Sequence, residues 1–300
     1  MDGRTINIII DILILCIGLP VICLAIYSLY RLVRSDMVVP IYIINLLISD
    51  LLQIIVRPVF IFFNFNPEFR YVDLTGNAMA VGSQITFLGC LCASVWFMVC
   101  IALERYLVVA HPLWYRFRRT VRHTVVISVG VWVMTLIFIA ICILSLKWYV
   151  FMNALMLLFL ILLLLPFPLL VFFFVGTWRA ITGATSVRDA EKRRILGTLA
   201  LVLGSYTVLF LPYCIVFICK FYKYFIPNTR IPYFVTEQMI KLNALVDPVL
   251  YILLRPDVRD TLGSVPCCQR LFTLTSCWTP RAEQQETEDA AAECPTESSV

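Results

Sequence analysis

Residues 78–106 read AMAVGSQITFLGCLCASVWFMVCIALERY, an apolar stretch that closes on Glu104, Arg105 and Tyr106. A helix that crosses a hydrocarbon core about 30 Å thick needs roughly 20 mainly apolar residues, because lipid offers no partner to a backbone N–H or C=O group. The stretch is long enough for such a helix, and its charges lie only at its C-terminal end. It therefore predicts a membrane-spanning helix whose charged end reaches the membrane surface.

Further stretches of the same character occur along the chain, so we predict seven spans, at 8–30, 40–63, 78–106, 124–146, 153–178, 193–220 and 232–254. The composition agrees, since 61% of the 300 residues are hydrophobic and only 14% are charged. A large soluble domain is the minor alternative, because its surface would carry more charge. The predicted fold class is an all-α membrane protein, a bundle of seven transmembrane helices followed by a short amphipathic eighth helix.

The connections between the spans indicate the orientation. Arginine and lysine are concentrated at 116–122 and 188–194, which share one face of the membrane. The positive-inside rule makes this face cytoplasmic. We therefore predict a multi-pass plasma-membrane protein with an extracellular N-terminus. Its net charge of +5 suits contact with anionic membrane lipid and needs no nucleic acid.

The remaining segments lie at the two ends of the chain. We expect residues 1–7 to form a short extracellular N-terminus and 8–254 to form the bundle, with no cleavable signal peptide. Pro256 then opens the amphipathic helix along the inner leaflet, within 255–268. The acidic segment 269–300 is predicted to be a disordered cytoplasmic tail.

Cysteines and the C-terminus suggest modification and a partner. Cys267 and Cys268 follow the amphipathic helix and are candidate palmitoylation sites, with unmodified thiols as the alternative. Ser298 and Val300 form the pattern of a PDZ-domain ligand. No predicted outer loop contains a cysteine, so we expect no extracellular disulfide, and the irregularly spaced cytoplasmic cysteines argue against a zinc site.

Six motifs recur in a fixed order along the spans. Together they resemble a rhodopsin-like (class A) G-protein-coupled receptor, and the Asp-Pro and Phe-x-Pro-Tyr variants are similar to its purinergic, lysolipid, free-fatty-acid and proton-sensing branch. The motifs are Leu46 to Asp50, Glu104-Arg105-Tyr106 with His111-Pro112-Leu113, Trp132, Pro166, Phe210 to Tyr213, and Leu242 to Tyr251.

The resemblance implies coupling to a heterotrimeric G protein, with arrestin as a further partner. Arg105 would hold Glu104 at rest and meet the G protein on activation, beside Tyr106, while Pro112 and Leu113 would contact it from the second cytoplasmic loop. An ordinary arginine that reaches the membrane surface is the alternative for Arg105. The usual acidic partner at the base of the sixth span is replaced here by a lysine, Lys192, so we expect a weak resting lock.

The resemblance also implies a buried sodium site. Asp50 would bind the ion together with Ser94, Asn243 and Asp247, because these are oxygen ligands suited to a hard cation. Two nearby carboxylates cannot both stay charged and unpaired in a low dielectric, so a shared proton is the alternative. Tyr251 completes an i, i+4, i+8 face of the seventh helix.

Phe210 would be an aromatic toggle next to the hinge at Pro212, with an ordinary core phenylalanine as the alternative, and Pro248 would be a second hinge. Departures from the family pattern at Ile22, Ala80 and Phe174 weaken the expectation of ordinary activation.

The ligand candidates are seven residues toward the outer ends of the spans. We expect Glu237 to pair with Lys241 at i, i+4 and to join Arg57 across the bundle, either as a structural triad or as part of an anion site. An anionic, lipid-like molecule would suit these cations among aromatic neighbours. The full set is Arg57, Phe60, Tyr213, Phe217, Tyr233, Glu237 and Lys241.

The predicted function is therefore a receptor that couples an unknown extracellular small molecule or lipid to a heterotrimeric G protein. A receptor-shaped membrane partner with little signalling of its own is the main alternative, and a transporter is a weaker one because no repeated halves are visible. We expect neither an enzyme nor a cofactor other than sodium. Both histidines, His111 and His123, lie on the cytoplasmic side without a nucleophile.

Overall fold

The structure is a computed structural model that describes residues 3–34, 41–66, 74–111, 115, 121–145, 152–183, 189–221 and 230–254. Within these ranges all regular structure is helical. The helices are α1 (Gly3–Arg34), α2 (Ile41–Ile55), α3 (Arg57–Phe65), α4 (Leu74–Ala110), α5 (Val121–Ser145), α6 (Met152–Leu164), α7 (Pro166–Gly183), α8 (Asp189–Leu209), α9 (Leu211–Phe221), α10 (Arg230–Lys241) and α11 (Asn243–Leu254).

These helices form seven spans. α1, α4 and α5 are the first, third and fourth spans, whereas α2 with α3, α6 with α7, α8 with α9, and α10 with α11 form the second, fifth, sixth and seventh. The first six are long and apolar enough to cross a membrane as helical segments. The seventh is interrupted at Leu242 into two 12-residue helices. The predicted seven-span, all-α fold class is confirmed.

The span boundaries differ from those predicted at several ends. α1 begins at Gly3, so residues 3–7, which we assigned to a separate N-terminal segment, already belong to the first span. α4 runs from Leu74 to Ala110, beyond both predicted ends of the third span. Hydropathy marks the apolar part of a helix, whereas a helix continues into the polar interface as long as its backbone bonds remain satisfied.

Three of the four interruptions precede a proline. Proline lacks an N–H group and its ring clashes with the carbonyl four residues earlier, so a helix tends to break just before it. The breaks at Val56, Leu165 and Phe210 lie one or two residues before Pro58, Pro166 and Pro212. The break at Leu242 differs, because no proline lies between Tyr233 and Asp247.

The third span is the centre of the bundle. Buried positions make up 83% of its apolar segment, compared with 28% in the first, fourth and fifth spans. It packs against the second, fourth and fifth spans. A Cβ atom added to Gly89 would lie 2.7 Å from two side-chain atoms of Ile139, so glycine permits this close approach of α4 and α5. α4 is therefore in place to link the two ends of the bundle.

Two of the unusual positions noted in the sequence lie in this core. Ile22 is fully buried in an apolar cluster with Ile14, Ile54 and Ala244, which joins the first, second and seventh spans. Ala80 is buried on the third span. Apolar packing therefore accommodates Ile22 at this position.

Several predicted features lie outside the described residues. They are the amphipathic helix at 255–268, the palmitoylation candidates Cys267 and Cys268, the tail at 269–300 with its PDZ-ligand candidates Ser298 and Val300, and the loop residues Pro112 and Leu113. Tyr251 lies in α11. The eight cysteines in the described part of the chain are free thiols.

Candidate functional site

A buried ion pair joins the first and second spans. Arg57 Nη1 donates to Asp11 Oδ1 at 2.7 Å, and the two side chains are 0% and 1% exposed. The guanidinium carbon also lies 4.9 Å from the ring centroid of Phe87 on the third span. A charge inside a membrane needs a partner, and Asp11 supplies it here. Our expectation that Glu237 would hold Arg57 was wrong, because the carboxylate next to the guanidinium belongs to the first span.

Arg57 makes a second hydrogen bond, to the seventh span. Its Nη2 donates to the backbone carbonyl of Lys241 at 3.0 Å. With one nitrogen on Asp11 and the other on this carbonyl, a fully buried side chain ties three spans together. This geometry favours the structural alternative for Arg57 over direct contact with a ligand.

Lys241 and Glu237 form the expected helical pair, but it is loose. Lys241 Nζ lies 3.8 Å from Glu237 Oε1, and it makes a shorter contact with Asn7 Oδ1, at 3.2 Å. Gln238 Nε2 donates to the same Asn7 oxygen at 2.8 Å. The first and seventh spans are therefore also linked by neutral amides next to the Lys241 ammonium.

Two cavities lie toward the end of the bundle where α1 begins. The smaller has a volume of about 280 Å³ and is lined by Phe60, Ala80, Glu237 and Lys241, among others. The larger has a volume of about 590 Å³ and is lined by residues of the third to seventh spans, including Tyr213, Phe217 and Tyr233. The seven ligand candidates are thus divided between two cavities, except Arg57, which lines neither.

The larger cavity is mainly apolar and aromatic, with one cation at its wall. Lys220 Nζ lies 3.8 Å from the ring centroid of Tyr233, and the ring of Tyr233 lies 5.9 Å from that of Tyr213. Tyr213 in turn lies 5.8 Å from Phe217. The face of the Tyr233 ring attracts the ammonium group and holds the exposed Lys220 side chain at the wall of the cavity.

A polar cluster lies in the middle of the bundle between the third and seventh spans. Asn243 Nδ2 donates to Ser94 Oγ at 2.9 Å, and Ser94 Oγ donates to Asp247 Oδ2 at 3.1 Å. Asp50 on the second span is fully buried and close enough to Asp247 for the two carboxylates to repel each other. Its Oδ1 accepts from Gln53 Nε2 at 3.2 Å.

The oxygen atoms of this cluster fit a small hard cation. Asp50 Oδ2, Asn243 Oδ1 and Gln53 Oε1 are buried and have no hydrogen-bond partner among the described residues. An unpaired buried acceptor costs free energy, and a cation between the two carboxylates would remove both this cost and their repulsion. The chemistry of these residues fits sodium, and sodium binding here stays a prediction.

The predicted toggle lies in an aromatic stack between the fifth and sixth spans. Phe210 is fully buried, and its ring lies 5.2 Å from that of Tyr206 and stacks with it. Tyr206 stacks in turn on Phe167, at 6.0 Å. The Tyr206 hydroxyl donates to the Leu163 carbonyl, next to the break in the fifth span. A buried tyrosine thus connects the two spans just before the hinge at Pro212.

The end of the third span that carries Arg105 is held by aromatic contacts. Tyr106 lies 5.6 Å from Phe173 and 5.8 Å from Phe172 between ring centroids. The Tyr115 hydroxyl donates to Glu104 Oε1 at 3.0 Å. Arg105 is half-buried at the same end. A family model described as "7 transmembrane receptor (rhodopsin family)" matches residues 20–251, which include both this end and the polar cluster.

The chain belongs to the rhodopsin family of seven-transmembrane receptors.

The receptor is similar to several curated proteins of this kind. It is 23% identical to G-protein coupled receptor 65 of Homo sapiens over 248 residues, 70% of this chain and 71% of that protein. It is 25% identical to G-protein coupled receptor 68 of Mus musculus over 322 aligned residues, 94% and 82% of the two chains. Identity to lysophosphatidic acid receptor 4 of Homo sapiens is 34%, over only 32% of this chain and 25% of that receptor.

Sequence reasoning missed four residues of the receptor's site. Asp11 is an ionisable group inside the first predicted span, so the rule that such a group needs a partner could have found it. Lys220 was counted as a loop residue, and Gln53 and Tyr206 resembled ordinary positions of apolar helices. The partners of Asp11, Lys220 and Tyr206 lie on other spans, and spacing along one helix does not show which spans are neighbours. Gln53 bonds Asp50 on its own helix.

Proposed function

We propose that the receptor resides in the plasma membrane with its N-terminus outside and couples an extracellular ligand to a heterotrimeric G protein. One observation carries this proposal. A single continuous helix, α4, carries Gln84 at both cavities, Ser94 in the polar cluster and Arg105 at the far end. At 1.5 Å per residue, Gln84 and Arg105 are about 30 Å apart, the thickness of the hydrocarbon core.

The geometry supports transmission by a shift between two packed states. A ligand can change the population of two conformations only by the difference in its affinity for them. The larger cavity is lined by Tyr213, Phe217 and Lys220 of α9, which begins directly after the break at Phe210, together with residues of α4. A ligand that draws α9 toward α4 would therefore act on the hinge at Pro212, and movement of the sixth span would expose Arg105 to the G protein.

We propose an anionic amphiphile as the ligand and the larger cavity as its site. The volume, about 590 Å³, falls within the range of roughly 300 to 1,000 Å³ usual for small-molecule sites. Lys220 offers a cation to the anionic head, while the apolar and aromatic lining accepts the chain. This role replaces the one we expected of Arg57. The name of the similar lysophosphatidic acid receptor 4 refers to a ligand of this class.

We also propose that sodium binds at Asp50, Ser94, Asn243 and Asp247, with Gln53 as a further oxygen donor. Bound there, the ion would supply a positive charge between two carboxylates and hold the second, third and seventh spans in one arrangement. Arrestin, and a PDZ-domain protein at residues 298–300, complete the proposed cytoplasmic partners.

Guanine-nucleotide exchange tests the function. Membranes from cells that express the receptor should stimulate GTPγS binding to added G proteins in response to lysophosphatidic acid or a long-chain fatty acid within a lipid panel. Lys220→Met should raise the half-maximal concentration by about tenfold or more, since a hydrogen bond to a charged group contributes about 1.5–3 kcal/mol.

Lys220→Arg is the matched control, because it keeps the cation at the same wall and should retain most of the potency. If the wild-type receptor reaches the cell surface but drives no exchange with any member of the panel or without ligand, the coupling proposal is wrong. If agonists work but Lys220→Met and Lys220→Arg behave alike, the head group binds elsewhere.

A further inference from the structure

The interruption of the seventh span has an unusual local geometry. The N–H groups of Leu245 and Val246 both donate to the Leu242 carbonyl, at 2.9 and 3.0 Å. The first of these bonds spans three residues rather than four, as does the bond from Leu242 N–H to the Met239 carbonyl, at 3.1 Å. A tight turn of this kind inside a helix often marks a hinge. No proline explains it, so another feature must stabilise it.

Arg57 supplies that feature. In a regular helix the Lys241 carbonyl would accept the N–H of Leu245, but that N–H is bonded to Leu242. The Lys241 carbonyl instead accepts Nη2 of Arg57 at 3.0 Å. The interruption is thus completed by a side chain from another span, so that the carbonyl released by the turn keeps a partner.

The position of Arg57 is fixed from the other side by Asp11. The guanidinium is planar and carries its donors in a rigid fork, so one nitrogen bonds the Asp11 carboxylate while the other bonds the carbonyl. Both side chains are fully buried. Arg57 is also the first residue of α3, directly after the break in the second span. The fork therefore connects the interrupted second span directly to the interrupted seventh span, and it connects both to α1.

We infer that Arg57 is a positioning residue: by occupying the Lys241 carbonyl it fixes the interruption at Leu242, and with it the register between α10 and α11. The two sides of the interruption carry different parts of the proposed function. α10 places Tyr233 at the larger cavity, the proposed ligand site, and α11 places Asn243 and Asp247 in the polar cluster. The inference rests on the proposed function and extends it, because it identifies Arg57 as the residue that couples the two halves of the seventh span.

A second register between α10 and α11 is available, because the Leu245 N–H competes with Arg57 for the Lys241 carbonyl. Without Arg57 the Lys241 carbonyl has the Leu245 N–H within the same chain as its nearest helical partner. Taking that partner would turn the interruption into regular helix. A turn of 3.0 residues advances about 120° per residue and a regular one about 100°, so the change would rotate α11 relative to α10 and move Asn243 and Asp247 away from Ser94.

The sequence offers a selective probe for this carbonyl. Lys241 and Leu242 form the one Lys–Leu pair in the 300 residues. Incorporation of carbonyl-¹³C lysine and ¹⁵N leucine therefore gives a single carbon–nitrogen correlation in solid-state NMR of the receptor in lipid bilayers. The carbonyl frequency of that signal responds to the hydrogen bond that the carbonyl accepts.

Two variants and one wild-type measurement make the test. Arg57→Lys keeps a positive charge opposite Asp11 but loses the fork, and it should shift the Lys241 signal by more than its linewidth. Gln238→Met is the matched control: it removes a part-buried bond between the first and seventh spans and a contact with the Lys241 ammonium, but it keeps the donor to the Lys241 carbonyl and should leave the signal in place. In the wild type, guanidino-¹⁵N arginine should attenuate the same carbonyl signal by dipolar coupling, and this measurement needs no variant to fold.

An unshifted signal in Arg57→Lys, or no attenuation in the wild type, would overturn the inference. The functional readout is basal nucleotide exchange at equal surface expression, which should rise about fivefold or more in Arg57→Lys as the second register becomes populated. A shifted signal with basal exchange within about twofold of wild type would leave Arg57 a structural link only and overturn its positioning role. If the wild type and every variant fail to drive exchange, the proposed function fails, and the carbonyl signal still decides whether Arg57 fixes the interruption.

Discussion

Replacing Asp11 with Asn should destabilise the receptor strongly, although the two side chains have nearly the same shape. Arg57 is 0% exposed and bonds Asp11 at 2.7 Å, so the change leaves a guanidinium buried among apolar residues without its counter-charge. Removal of one partner from a buried ion pair costs about 3–5 kcal/mol. For a chain of this size that corresponds to a loss in melting temperature on the order of 10 °C.

The assay is thermal unfolding of the purified receptor in detergent, followed by tryptophan fluorescence. Arg57→Gln should cost a similar amount, whereas the double variant Asp11→Asn with Arg57→Gln should recover at least half of the loss, because it buries two amides and no charge. Glu237→Gln is the matched control and should cost less than about 1 kcal/mol, since Glu237 is 36% exposed and 3.8 Å from Lys241. Additive losses in the double variant would refute the pairing, as would a melting temperature unchanged in Asp11→Asn.

Three further changes have definite expected outcomes. Gly176→Ala places a Cβ 2.7 Å from Tyr106 and should lower the free energy of unfolding by about 1–3 kcal/mol. Gly197→Ala is the control and should cost nothing, because no atom lies within 4 Å of its added Cβ. Equal effects of the two changes in thermal unfolding would contradict the close contact. Asp50→Asn should abolish any dependence of agonist affinity on sodium, and a dependence that survives would place the ion elsewhere. Tyr206→Phe removes a hydroxyl bond between the fifth and sixth spans and should raise basal nucleotide exchange by about fivefold, the equivalent of about 1 kcal/mol; unchanged exchange would show that this bond is equally strong in both states.

The general architecture could be predicted because its determinants are local. A run of apolar residues must satisfy its backbone within a helix, so the seven spans follow from length and hydropathy. Proline acts on the residues just before it, and three interruptions lie next to Pro58, Pro166 and Pro212. Asn243 and Asp247 share a helical face because they are four residues apart, and they contact Ser94 together.

The predictions that failed are those that require knowing which spans are neighbours. Arg57 lies 46 residues from Asp11 and 184 from Lys241, so no periodicity connects them. Glu237 was chosen as the partner because it is close to Lys241 in sequence, but α1 lies nearer to the guanidinium. The interruption at Leu242 had no local signal either, since its stabilising donor comes from the second span. Charged groups inside a span indicate that a partner exists without showing where it lies.

The candidate ligand residues show the same limit in another form. Tyr213, Phe217 and Tyr233 were predicted as ligand candidates, and their rings lie next to one another in the structure. The cation beside them was not identified, since Lys220 lies at the end of a span and resembled a loop residue. Its position over the Tyr233 ring became evident only from the packing of α9 against α10.

Nucleotide exchange by the variant Arg105→Ala is the most direct test of the central claim, that this receptor activates a heterotrimeric G protein through the cytoplasmic end of its third span. The measurement compares GTPγS binding in membranes that contain equal surface amounts of wild-type receptor and variant. Arg105 is half-buried at the end of α4, so its removal should leave expression largely intact. We predict that exchange is lost in the variant, both basal and agonist-driven; exchange equal to that of the wild type would contradict the account.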